Sequence, residues 1–200
     1  MDETALLQKE GVPRTDDDAK YTWDHSPSAN VLRIFGYDGF SSAVSGPTSQ
    51  EDLVGLILDK SAFYAEAGGQ VADTGILRLS NGDEFEVLDV QSFAGYLLHV
   101  GRLSSGAKIN VGDTVTCEVD YRRRSKVAPN HTMTHVMNYA LRKILGPNVD
   151  QKGSLVNDEK LRFDFSHGSS LSAEQIGQVE EIVQDIINRR LPVSAQVRVN

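Results

Sequence analysis

Five short runs set the fold of the first half of the chain: "VLRIF" from residue 31, "LVGLIL" from 53, "GILRLSNGDEFEVLDV" from 75, "GYLLHV" from 95 and "DTVTCEVD" from 113. They are rich in β-branched and aromatic residues and are separated by Gly, Asn and Ser, the pattern of strands joined by turns. Asn81-Gly82 is a strong hairpin signal, because both central residues of a type I′ turn need positive φ. Several short strands with such turns predict a small antiparallel β-barrel over residues 26–120. Residues 1–25, with "RTDDDAK" and few large apolar side chains, read as a flexible lead-in.

After residue 120 the period changes. A helix is expected from about residue 131, capped by Asn130, carrying Val136, Met137, Ala140, Leu141 and Ile144 as an apolar stripe and stopped by Gly146-Pro147. "GSLV" and "KLRFDFS" follow as strands, Leu161, Phe163 and Phe165 alternating with Arg162 and Asp164. "SAEQIGQVEEIVQDIINRR" is a second helix, with Ser172 and Gln175 as a capping box and Ile176, Val179, Ile182, Val183, Ile186 and Ile187 on one face. "VSAQVRVN" alternates as a last strand. The expected class is α+β: a barrel, then an α/β subdomain over 121–200 with helices packed on an antiparallel sheet.

The first of these helices carries His131 and His135, four residues apart and therefore on one face, where two imidazoles can converge on a metal ion. Thr132 stands where the HExxH pattern of zinc proteases requires its glutamate, so that chemistry is excluded. The single Cys117 rules out an intrachain disulfide and a Cys-rich zinc site. No Ser-His-Asp or Cys-His arrangement is visible by spacing, which argues against a covalent intermediate.

The net charge of −8 is unevenly spread. Residues 1–100 carry 6 Lys and Arg against 17 Asp and Glu, whereas residues 101–200 carry 14 against 11. The histidines thus lie in the basic half, close behind "YRRRSK" (residues 121–126), whose cations form either a phosphate-binding cluster or a solvated connection. There is no run of 18 apolar residues and the acidic start lacks a signal peptide's apolar core, so no membrane partner is expected and the cytosol is the default compartment. Oligomeric state is left open.

"LDKSAFYAEAGGQVADTG", "NHTMTHVMNYALRKILG", "DQKGSLV" and "LRFDFSH", in this order and spacing, resemble the editing domain of the alanyl-tRNA synthetase family, also found in free-standing alanyl-tRNA editing proteins and related to the editing domain of threonyl-tRNA synthetases. The resemblance covers roughly residues 30–190, and "GVPRTDDDAKY" resembles the segment preceding this domain in full-length eukaryotic-type synthetases, whose parent protein would be an alanine–tRNA ligase with its own ATP site. It implies hydrolysis of the ester joining serine or glycine to the acceptor end of the tRNA for alanine. A pocket that accepts alanine cannot reject close relatives well, since one methylene is worth only about 1–3 kcal/mol, so a second site must sort the products. Polar groups there that pair with a serine hydroxyl would reject alanine; glycine's removal has no equally direct account. A water would attack the ester carbonyl while the ion or its neighbours orient the substrate and oppose the oxyanion charge.

By motif position the resemblance implies that His131 and His135 are zinc ligands, completed by a Cys and a His expected beyond residue 200, so that 200 residues alone would bind zinc weakly and hydrolyse poorly. Cys117 is a poor substitute, and His167 fits a polar strand end better than a stand-in ligand. Thr134 and Gln151 would line the substrate pocket, with Gly68, Gly69 and Gln70 near it; the tripeptide also matches the hydrolytic loop of peptide release factors, but Glu66 and Asp73 flank it and its glycines better serve a tight connection. Arg122, Arg123, Arg124, Lys126 and Lys152 are the candidate tRNA phosphate contacts. The alternative is a catalytically inactive tRNA-binding fragment lacking part of the zinc site.

Overall fold

The computed structural model describes residues 3–36, 38–46 and 53–193. The elements are α1 (Glu3–Lys9), β1 (Ser28–Gly36), β2 (Gly39–Ser41), β3 (Ala43–Ser45), β4 (Val54–Leu58), β5 (Gly75–Leu79), β6 (Glu84–Phe93), β7 (Tyr96–Leu103), β8 (Lys108–Asn110), β9 (Thr114–Val119), α2 (Tyr121–Leu145), β10 (Gln151–Val156), β11 (Leu161–Phe165) and α3 (Ala173–Arg189), with a short 3-10 turn at Asp18–Tyr21. The chain divides into two compact units, residues 1–126 and 127–200, the division falling within α2. The expected strand over residues 193–200 lies outside the described residues but for Val193.

The first unit is the expected barrel. Its strands pair antiparallel in the order β1-β4-β7-β6-β5-β9, and β9 pairs back onto β1 to close the ring. Alternate residues point inward, so Val31, Ile34, Leu56, Leu58, Leu77, Phe85, Val87, Val90, Leu103, Val115 and Cys117 fill the interior. The β5–β6 hairpin turns at Ser80–Asn81–Gly82, but not by the expected type I′ turn. Only Gly82 has positive φ, Gly82 N–H donates to Leu79 O (3.0 Å) and Leu79 N–H to Asp83 O (2.9 Å), which is a three-residue loop closed by a glycine bulge. Two consecutive positive-φ residues occur instead at Ala94 and Gly95, between β6 and β7.

Residues 3–25, the expected lead-in, include α1 and the 3-10 turn and pack on the barrel. All five residues of β4 are buried, because the strand is covered on both faces. Leu56 and Leu58 face the barrel interior, while Ile57 packs outward with Leu7 of α1, Val12 and Tyr96. Tyr96 Oη donates to Val12 O (3.0 Å) and Thr15 Oγ1 to Leu58 O (2.8 Å), so the leading segment is bonded along the barrel wall.

One polar knot interrupts the apolar interior. His99 of β7 is fully buried, with Nδ1 3.1 Å from Leu56 O and Nε2 2.7 Å from Ser61 Oγ. A carbonyl only accepts, so Nδ1 carries the proton and the Ser61 hydroxyl donates to Nε2. Burial lowers the His99 pKa to about 4. An unfolded histidine titrates near 6.5, so between these values the unfolded chain binds the extra proton and the barrel loses stability as pH falls. Urea midpoints followed from pH 7 to pH 4.5 should drop, and the drop should be smaller in His99→Gln, whose amide cannot take up that proton.

The second unit packs α2 and α3 on the antiparallel β10–β11 pair around Ala140, Leu141, Val149 and Val179, with Phe163, Phe165, Ile182 and Val183 at their margin. The capping box of α3 is present in full: Gln175 N–H donates to Ser172 Oγ (3.2 Å) and Ser172 N–H to Gln175 Oε1 (2.9 Å). Helix α2 starts ten residues before the expected position. Arg123 N–H donates to Asp120 Oδ1 (2.9 Å), so Asp120 supplies the cap, whereas Asn130 lies inside the helix and its side chain donates to Asn157 O (3.0 Å). Pro129 is also inside the helix, where it has no N–H to donate. Gly146, at φ 102°, ends the helix as expected.

Candidate functional site

On α2 the ring centroids of His131 and His135 are 5.7 Å apart, 16° from parallel. The i, i+4 spacing has done what the sequence required of it: the imidazoles are neighbours, His131 half-buried and His135 exposed. Burial, and to a lesser degree the neighbouring His135, lowers the pKa of His131, which favours its neutral form. Between them along the helix sits Thr134, 3 % exposed, whose Oγ1 donates to His131 O at 2.7 Å. Its proton is therefore committed to the helix, and its lone pairs remain as an acceptor. One helical step further, Asn138 lies on the same side, at i+4 from Thr134 and i+3 from His135. Its Oδ1 is buried and meets no hydrogen-bond donor. The motif reading passed over this residue, although the spacing from both histidines was its signal.

Gln151 begins β10 and is exposed, its Nε2 donating to Ser154 Oγ at 3.2 Å; a bulge follows at Lys152, also exposed. His167 opens onto a cavity of about 440 Å³ lined by Leu145, Asn148, Val149 and Phe165. Leu145 is ten residues along α2 from His135, about 15 Å at 1.5 Å per residue, so His167 is no stand-in for a third ligand there. Cys117 is buried in β9 and burial raises its thiol pKa to about 11, which removes it as a ligand as well. Among the described residues no group of three or more His, Cys, Asp and Glu is placed to hold a metal. Two imidazoles fill half of a tetrahedral zinc shell, so the described donors alone do not make a complete site.

In the first unit, Gly68 and Gly69 have φ of 61° and 83° and turn the chain between Ala67 and Gln70, which exchange backbone hydrogen bonds of 3.2 and 3.0 Å. The glycines thus serve the tight connection. Gln70 is 4 % exposed, unlike a side chain held out to position water.

The arginines of "YRRRSK" are not equivalent. Arg122 and Lys126 are exposed, and Arg123 spends one guanidinium nitrogen on Ala72 O at 2.7 Å. Arg124 is removed from the phosphate candidates altogether. It is 4 % exposed, donates through Nε and Nη2 to Asp73 and through Nη2 to Ala62 O, and lies 4.9 Å from the Tyr121 ring centroid. The hydrogen-bonded pair Ser61–His99 is sealed in the barrel core without a carboxylate, so no nucleophilic dyad arises from it.

Residues 2–123 match the family described as tRNA synthetases class II (A). The chain is similar to an alanine–tRNA ligase of Candida albicans, 45 % identical over 177 residues, covering 88 % of this chain and 18 % of that protein. It is also 41 % identical over 191 residues to a mitochondrial alanine–tRNA ligase of Saccharomyces cerevisiae (96 % of this chain, 19 % of that one). A cytoplasmic alanine–tRNA ligase of Dictyostelium discoideum is 39 % identical over 195 residues (96 % and 20 %), so the chain spans about a fifth of the length of these relatives. No helix among the described residues is long and apolar enough to cross a membrane. With the family match running through the closed barrel into the first turn of α2, and the relatives' similarity continuing across the histidine helix, the chain belongs to the class II tRNA synthetases as a domain related to alanyl-tRNA synthetase.

Proposed function

We propose that this domain hydrolyses the ester of serine, or of glycine, wrongly attached to the tRNA for alanine, as the editing part of a protein that ligates alanine to that tRNA. The observation that carries the reading is the face of α2 on which His131, Thr134 and His135 stand together. A serine hydroxyl is a donor, and Thr134 offers an acceptor whose own proton is already engaged. Alanine brings no donor and would leave the acceptor lone pairs of that buried oxygen unused, at a cost of about 1–3 kcal/mol.

Hydrolysis needs a water to attack the ester carbonyl, after which the terminal ribose hydroxyl leaves and takes a proton. The part of this chain is to hold the ester against that water and to admit serine before alanine. Zinc is the cofactor the histidines suit, and the described residues supply two of its ligands, His131 and His135. Gln151 is a candidate for the pocket wall, and Gly68, Gly69 and Gln70 for a supporting turn. Arg122, Arg123, Lys126 and Lys152 are the candidates for phosphate contacts with the acceptor end. ATP would serve the parent protein's ligation and no group described here. The relatives' names include cytoplasmic and mitochondrial forms, and a cytoplasmic parent is the simpler reading.

The test is deacylation of Ser-tRNA and Ala-tRNA, both on the tRNA for alanine, by this chain and by a version extended past Asn200. Serine should be released well ahead of alanine, and Thr134→Val, which keeps the shape and loses the acceptor, should narrow the preference about tenfold. Specific tRNA binding without release of serine by either version would favour the inactive-fragment reading.

A further inference from the structure

Asn138 has no place in the motifs that led to the histidine face. Its Oδ1 is buried with no donor, a condition that costs free energy and that folded proteins largely avoid. The amide sits where that face meets the apolar stripe of Leu141 and Met137, at helical spacings of three, four and seven from His135, Thr134 and His131. Thr134 Oγ1 and Asn138 Oδ1 are thus two buried acceptors on residues one helical turn apart, neither carrying charge.

A ligand that satisfies both brings two donors, one of them able to sit against a neutral carbonyl oxygen. An aminoacyl ester of serine has this pattern: a hydroxyl on Cβ and an ammonium on Cα. Resting on the editing reading above, we infer that Asn138 Oδ1 receives the α-ammonium group of the ester while Thr134 Oγ1 receives the side-chain hydroxyl. An ammonium hydrogen bond to an amide carbonyl is charge-assisted and stronger than a neutral one. The assignment also supplies a contact that glycine can make: glycyl esters keep the ammonium although they lack the hydroxyl.

The test compares seryl-tRNA with the same tRNA carrying 3-hydroxypropanoate, which has the hydroxyl and the ester but no amine. The readout is the ratio of the two deacylation rates within one preparation, so loss of folded protein cancels. The unaltered chain should favour the seryl ester about tenfold or more; Asn138→Leu should bring the ratio close to one, and Asn138→Asp, which keeps an acceptor, should retain the preference. A ratio unchanged in Asn138→Leu, or already near one in the unaltered chain, overturns the assignment while leaving editing intact. The ratios are read in whichever of the chain and its version extended past Asn200 releases serine, and failure of both to release either acid overturns the editing reading, and this assignment with it.

Discussion

Arg124→Ala should destabilise the barrel unit by about 3–5 kcal/mol, the largest stability loss expected from any single polar substitution in the chain. The reason is the partner left behind. Asp73 and Arg124 are each 4 % exposed, and Asp73 Oδ2 accepts from Arg124 Nε at 3.0 Å, from its Nη2, and from Tyr64 N–H at 2.7 Å. Removing the guanidinium leaves a carboxylate in a dry site with one backbone donor. It also frees Ala62 O, which accepts from Nη2 at 2.6 Å, and empties the space beside the Tyr121 ring. Lysine should recover only part of the loss, because it cannot reproduce the fork. The double replacement Arg124→Met with Asp73→Leu should recover much of it, because no charge is then stranded. Urea unfolding followed by fluorescence measures this directly, since the chain's single tryptophan, Trp23, has its ring centroid 5.9 Å from that of Tyr121.

Replacing both His131 and His135 by alanine should do the reverse. His135 is exposed and His131 half-buried, and neither belongs to the apolar cluster of the second unit, so the urea midpoint should move little. Release of serine from the tRNA should fall on the order of 100-fold, because the face proposed to hold the ester in position is lost. Equal activity in the double variant would separate the histidine face from the chemistry. The two experiments divide the basic segment and the helix that continues from it into a structural anchor at Arg124 and a chemical face beginning at His131.

The difference between these two residues was only half legible in the sequence. Two histidines four apart on a helix must be neighbours, because the helix alone fixes their separation. Three consecutive arginines carry no such information, since what singles out Arg124 is Asp73, 51 residues away and reached only once β5 and β9 have paired. The barrel itself was readable because alternation reports which face of a strand is dry. The turn at Asn81-Gly82 was readable in position and not in type, because Asn-Gly suits a two-residue turn and a bulged three-residue loop alike. The packing of the leading segment has its signal in "LVGLIL": a strand apolar on both faces needs a cover outside the barrel, and Leu7 and Val12 provide it. The start of α2 was misplaced because Asp120 closes a strand and caps a helix at once.

In the proposed function the acylated tip of a tRNA is received on the His131–His135 face of α2. Its most direct measurement is the imidazole nitrogen and proton resonances of the chain's five histidines during titration with a non-hydrolysable seryl-amide analogue of the terminal adenosine. The signals of His131 and His135 should shift together while those of His25, His99 and His167 stay in place. Shifts confined to the other histidines, or no shift at saturating analogue, would contradict it.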